Sequence, residues 1–154
     1  MGLFELFASY GMLGLFLTGL ISSIIPIPTE PVVFALLDIG KNPEIILITL
    51  VIGSIFGAFL GYLVGIYGLR KIVLFHSMQK ERQVQLHFRK YGTLYLLVSP
   101  WIPIVGDIAP MVAGRENYDL KRFLIVISAA KMIKSIAIVY LSIEAIEWWT
   151  FFIK

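Results

Sequence analysis

The chain has 154 residues, 58% hydrophobic and 15% charged, with a formal net charge of +3. A typical soluble domain is near half apolar and a quarter charged, so the composition points to lipid, and the length allows one domain. No cysteine is present, which excludes disulfides and thiolate metal sites; the two histidines, His76 and His87, sit in the most polar stretch and argue against a histidine-built metal site.

In chain order, the N-terminal stretch carries Glu5 and no basic residue before its apolar run, so it reads as mature sequence rather than a cleaved signal. Residues 10–39 then form two apolar arms around Pro26-Ile27-Pro28-Thr29-Glu30-Pro31. Proline interrupts the helical ladder and restricts the residue before it. Arms this short suit a segment that dips into the bilayer and returns, and a re-entrant hairpin is predicted over 10–39; the alternative is that 3–25 spans whole. Asp38, beside Gly40, reads as an interfacial cap.

Residues 45–69 contain no charge and are long enough for a transmembrane helix, about 37 Å at 1.5 Å per residue. Gly53, Gly57, Gly61 and Gly65 recur every fourth residue along it. Small residues at this spacing let helices approach closely; the pattern leaves open whether the partner is in this chain or in a second copy. The linker 70–90 holds Arg70, Lys71, Lys80, Arg82, Arg89 and Lys90 against Glu81 alone. Lysine and arginine mark cytoplasmic loops, and part of this linker is predicted as an amphipathic helix along the membrane surface.

A second hairpin is predicted over 91–114. Its centre is Ser99-Pro100-Trp101-Ile102-Pro103-Ile104-Val105-Gly106-Asp107. A second transmembrane helix follows at 123–147, carrying Lys131, Lys134 and Glu144. Trp148 and Trp149 read as an interfacial anchor. The two halves run alike: Tyr10-Gly11 or Tyr91-Gly92, an apolar arm, a Pro-rich turn, an acid, a second arm, a glycine (Gly40 or Gly114), and a long helix. The expected fold is an all-α integral membrane protein. It has two re-entrant helical hairpins plus at least two transmembrane helices, inverted-repeat-like, with an amphipathic cytoplasmic linker. Broken segments in corresponding places of two halves point to a transporter's binding site.

Four ionisable residues stand out within apolar sequence. A carboxylate at Glu30 or Asp107 must protonate or find a partner if taken out of water, which suits proton exchange. Lys131 and Lys134 lie too far along their helix for both to reach the near interface. With Ser128 and Ser135 they form a polar stripe, which in lipid should face the protein interior. The hairpin-tip residues are Pro26, Pro28, Pro100, Trp101, Pro103 and Gly106.

Pro26-Ile27-Pro28-Thr29-Glu30 resembles the Pro-x-Pro-Ser/Thr-Glu motif of the DedA family, also called SNARE-associated Golgi or VTT-domain proteins. His87-Phe88-Arg89-Lys90-Tyr91-Gly92 and Ala113-Gly114 resemble two further family stretches. The family's usual second motif is Arg-Phe-x-Pro-x-x-Arg; here Trp101-Ile102-Pro103-Ile104-Val105-Gly106-Asp107 lacks both arginines and is similar to the YqaA-like branch. The resemblance implies paired re-entrant hairpins and proton-coupled movement of phospholipids or polyprenyl-phosphate lipids between leaflets. Lys131 and Lys134 would supply the missing positive charge.

The leading expectation is therefore a flippase- or scramblase-like lipid transporter. Membrane lipids would be its partners, with no nucleic acid, no cofactor and no metal, in a prokaryotic plasma membrane with the 70–90 loop cytoplasmic. The alternatives are a proton-coupled exporter of small molecules or cations, and a non-transport membrane assembly protein working as a homo-oligomer through the glycine stripe. An enzyme is not expected, since no His stands beside Ser or Asp in the apolar regions and no Gly-rich phosphate loop is present.

Overall fold

The computed structural model describes residues 10–23, 27–68, 78–102 and 105–153, without the side chains of Met78, Glu81 and Asp107. Pro26, Pro103, the Asp107 side chain and the basic residues Arg70 and Lys71 lie outside the described residues, as do residues 3–9, on which the spanning alternative for 3–25 depends. Every helix or strand among the described residues is a helix.

The first arm, α1 (Met12–Ile21), opens at Gly11, whose φ of 59° favours glycine. The second arm, α2 (Glu30–Asp38), starts with Glu30 and Pro31. Proline costs nothing in a first turn, where its missing N–H would be unpaired, and an acid there complements the helix dipole. α2 stops at a left-handed turn: Gly40 (φ 78°) donates to the Leu37 carbonyl and Lys41 to the Leu36 carbonyl, the paired bonds of a Schellman motif. Asn42 then caps α3 (Pro43–Tyr67), its side chain accepting from the Glu44 N–H at 2.8 Å. Asp38 stands at the end of α2, so the cap assigned to it belongs to Asn42, two residues past the turn. α3 ends at Tyr67 on left-handed Gly68.

After the linker come α4 (Met78–Tyr91), α5 (Thr93–Val98), a 3-10 turn (Ser99–Trp101) and α6 (Val105–Arg115). α7 (Leu120–Ile153) closes the chain. It begins before the predicted 123 and continues past 147, because the mixed Glu147-Trp148-Trp149 stretch is fully compatible with helix although less apolar. At about 51 Å it exceeds the roughly 30 Å hydrocarbon thickness.

The packing follows one rule. Each first arm lies on the long helix of its own half: α1 on α3, α5 on α7. Each second arm crosses to the other half: α2 on α7, α6 on α3. Two apolar clusters result. One gathers Leu15, Val32, Val33, Leu36, Ile46, Leu50 and Val139 around α1 and α2; the other gathers Tyr62, Leu96, Ile108, Val112, Phe123 and Ile127 around α5 and α6. α4 does not lie free along a surface. Val84 and Phe88, four residues apart and therefore on one helix face, are buried in the second cluster, and α4 packs on α6.

The glycine stripe is consumed within the chain. A Cβ on Gly53 would stand 2.6 Å from the Phe16 carbonyl oxygen of α1, and one on Gly57 would collide with Leu20. One turn or two further along α3, Gly65 faces the Met111 backbone of α6, and Gly114 of α6 faces the Tyr62 backbone. α3 is thus the common spine, its first half receiving α1 and its second half α6.

The halves correspond more closely than their spacings suggest. Pro26 and Pro103, Glu30 and Asp107, Asn42 and Asp119, and the first residues of α3 and α7 (Pro43 and Leu120) are each 77 residues apart. At that separation Gly40 answers to Asn117, not to Gly114. Asn117 has φ 52° and donates to Gly114, and Tyr118 donates to Ala113, so α6 ends in the same Schellman motif, with asparagine in the left-handed position. Asp119 then accepts from the Arg122 N–H at 2.9 Å as Asn42 does from Glu44. Only the first arms differ. Gly11 and Gly92, in matching conformations (φ 59°, ψ −125°; φ 50°, ψ −116°), are 81 apart, because α1 has 10 residues and α5 has 6. The difference is about one helical turn.

Candidate functional site

The two halves differ where space opens. On α3, the last turn of α1 and the Ser23 that follows it cover Gly57. The residues of α7 at the corresponding positions, 77 further on, are Lys131 for Ser54 and Lys134 for Gly57. α5 ends at Val98, in register with the end of α1 at Ile21, so its missing turn is its first; both lysines line a chamber of about 260 Å³. Its other walls are Ser22, Ile27, Pro28, Thr29 and Glu30 from the first half and Pro100, Ile102 and Gly106 from the second.

Each wall has a local cause. Glu30 sits in the chamber because it heads α2, which crosses to α7. Gly106 allows the first turn of α6 to close on the 3-10 turn, since a Cβ there would lie 2.8 Å from the Ser99 carbonyl oxygen. Lys131 is buried, with 7% of its surface exposed. Its Nζ donates to Ser23 Oγ at 3.3 Å, and Ser23 Oγ donates to the Ser54 carbonyl at 3.2 Å. Burial of an ammonium group needs such acceptors. Lys134, one turn on, is partly exposed.

The chamber adjoins a second, larger space of about 560 Å³ that shares Glu30, Pro100 and Lys134 with it. This groove runs between α2 and α7 past Phe34, Trp101, Ala137, Ile138, Leu141 and Ala145. From Lys134 to Ala145 is about 16 Å along the helix. Beyond Glu30 and Lys134 its wall is apolar apart from Ser142 at the far end. The site therefore has a polar head and a long apolar tail. Such an arrangement can neutralise an anion between two ammonium groups, lysine being a point-charge phosphate binder, while holding hydrocarbon beside it.

Of the residues singled out in the sequence, Glu30, Lys131, Lys134, Pro28, Pro100 and Gly106 meet in the chamber, and Trp101, half exposed, stands in the groove. Asp107 follows Gly106 in the chain; its side chain, with Pro26 and Pro103, is outside the described residues. Gly53, Gly57 and Gly65 line helix seams, and Gly61, whose added Cβ would meet Pro110 at 3.4 Å, sits in a looser part of the same seam. Ser22 and Ser23 were not anticipated, and Thr29 entered only as part of the Pro-Ile-Pro-Thr-Glu motif.

Outside the chamber, Glu116, just beyond α6, accepts from Arg89 Nε at 3.0 Å and Nη2 at 3.2 Å, and also from the Gln85 amide. Arg89 and Gln85 hold the Glu116 carboxyl below its ordinary value, and Glu116 raises Arg89 in turn. This clamp ties the linker helix α4 to the end of α6.

The VTT domain family matches residues 27–144 of the chain, which takes in both lysines, Glu30 and Asp107. The inner membrane protein YqaA of Escherichia coli K12 is 24% identical over 151 residues, covering 97% of this chain and 96% of that one. An uncharacterized protein of the archaeon Methanocaldococcus jannaschii is 25% identical over 134 residues, 86% of this chain and 84% of its own. No solved structure matches. α3 and α7 are each long and apolar enough to cross a bilayer. This chain belongs to the VTT-domain, or DedA, family and is a YqaA-like membrane protein.

Proposed function

We propose that this protein is a lipid transporter, flippase- or scramblase-like, that carries an anionic headgroup across the bilayer through the chamber while the acyl chain stays in the apolar groove. The observation that carries the reading is that the two spaces lie side by side and share Glu30, Pro100 and Lys134. A polar pocket alone would suit many ligands, and an apolar groove alone would suit packing. The two next to each other match the make-up of an amphiphile.

In this reading α3 and α7 span the membrane, the basic linker is cytoplasmic, and the broken segments 10–39 and 91–114 enter as re-entrant hairpins from opposite faces in an inverted repeat. Non-helical backbone at membrane depth is tolerated where it is buried in protein or lines a cavity, and the Pro-rich turns are next to the chamber. Lys131 and Lys134 pair with phosphate. Glu30 and Asp107 exchange protons or orient the headgroup. No covalent step is required, so the protein acts as a carrier rather than an enzyme.

The two lysines in the chamber disfavour a cation exporter. The glycine stripe, which supported the assembly reading, is taken up by α1 and α6 of the same chain.

The test is leaflet exchange of labelled phospholipid and labelled polyprenyl phosphate in vesicles containing the purified protein. Acceleration by wild type and its loss in a Glu30→Gln/Asp107→Asn double variant is the expected result. No acceleration by wild type, or full activity in the double variant, would overturn the proposal.

A further inference from the structure

Ser23 belongs to none of the motifs read from the sequence, yet it is 1% exposed and joins three helices. It follows α1, presses on α3 and receives Lys131 from α7. Its Cβ and Oγ both lie 2.8 Å from where a Cβ on Gly57 would be. Any side chain at 57 would push the hydroxyl away. The absence of a side chain at Gly57 therefore does more than let two backbones approach: it seats Ser23 with its oxygen facing Lys131 Nζ at 3.3 Å and its proton on the Ser54 carbonyl at 3.2 Å.

The direction of these bonds matters. A hydroxyl donates one proton and accepts with its lone pairs. Because Ser23 has given its proton to the Ser54 carbonyl, only lone pairs remain to face the lysine. A backbone carbonyl fixed in a helix orients the hydroxyl, and the hydroxyl orients the ammonium group. A lysine side chain has four rotatable carbons, so each fixed acceptor narrows where its ammonium group stands. Ser54 is the residue of α3 that answers to Lys131 on α7, so the relay runs from one half of the chain to the matching point of the other.

We propose that Ser23 is a positioning residue: seated by Gly57 and oriented by the Ser54 carbonyl, it holds the Lys131 ammonium group at the wall of the chamber, where an anionic headgroup meets it. The consequence for transport rests on the lipid reading given above; the contact itself can be measured without it.

The experiment uses the full chain, purified in detergent and treated briefly with a water-soluble amine-acylating reagent. Mass spectrometry gives the modification of Lys131 relative to Lys134, which lies in the same chamber and reports general opening. Ser23→Ala is expected to raise the Lys131/Lys134 ratio about tenfold, the scale of one hydrogen bond to a charged group. Ser23→Thr and Ser23→Val have nearly the same shape and differ in the hydroxyl, so they remove packing as an explanation. The valine variant should label like alanine and the threonine variant several-fold less. An unchanged ratio in Ser23→Ala, or equal ratios in the threonine and valine variants, overturns the assignment; loosening of the fold would expose buried Lys131 more than Lys134 in the threonine and valine variants alike, and so gives the equal ratios that count against it. The same variants in vesicles separate the two claims. Slower exchange of an anionic phospholipid in the valine than in the threonine variant supports the transport role. A difference in labelling with equal transport removes Lys131 from the lipid mechanism and leaves the contact standing.

Discussion

Gly114 of α6 lies directly over the backbone carbonyl of Tyr62 on α3, with no room for a side chain between them. Gly65 makes the reciprocal approach to Met111. This seam fixes the second half of the molecule to the spine of the first. Gly114→Ala should cost about 1–3 kcal/mol, the usual penalty of overpacking, and lower the melting temperature in detergent by several degrees. Gly61→Ala is the control. Its added methyl would meet the Pro110 side chain at 3.4 Å and the Ser23 carbonyl oxygen at 3.7 Å, both van der Waals distances, and melting should change little. Equal effects of the two substitutions would contradict the seam.

Asn117 holds a left-handed conformation that Gly40 holds in the first half. Glycine adopts it without steric cost. Asn117→Gly is expected to stabilise by roughly 0.5 kcal/mol, whereas Gly40→Val, a branched residue at positive φ, should destabilise by at least about 1 kcal/mol. Paired melting curves of the two variants test the shared turn.

The Arg89–Glu116 clamp gives a pH dependence. The Glu116 carboxyl is lowered from its ordinary 4.5 by Arg89 and Gln85, so its folded form binds a proton less readily than its unfolded form. Its contribution is present above about pH 4.5 and fades as the pH falls through the lowered folded value. Arg89 is largely exposed and Glu116 partly so, so the effect is small. Melting measured from pH 7 to pH 3 should drop less steeply in Glu116→Gln than in wild type over the acid limb, and the gap should narrow in high salt.

Ala137 faces the apolar groove between α2 and α7. Ala137→Trp places a large ring in open space rather than in a packed core. Lipid exchange in vesicles should fall about tenfold or more while the melting temperature stays within a few degrees. Retained exchange would mean that the groove is not the path of the chain.

Much of this architecture was legible because lipid-facing sequence is blunt. An uncharged run of the length of 45–69 can only be a long helix, and prolines at 26, 28, 100 and 103 could only break one. Helical spacing put Lys131 and Lys134 on adjoining faces, and they do line one chamber with Glu30. The correspondence between the halves was harder to read. The constant separation of 77 is hidden by the shorter first arm, and Gly40 was matched to Gly114 because asparagine can replace glycine in a left-handed turn without leaving a glycine to find. Gly114 instead carries a close helix approach. Ser23 was illegible for a different reason. Its role depends on three helices meeting, and no local pattern records that.

The exchange of a glycine for a lysine between matching points of the two long helices has one further effect. Gly57 lets Leu20 and Ser23 seal the α3 side, whereas Lys134, which answers to it on α7, borders a hollow. The protein is open to one side of its own near-symmetry. A passenger would therefore meet a lopsided vestibule, basic on the α7 flank and plugged on the α3 flank, and its passage could not look the same travelled in either sense.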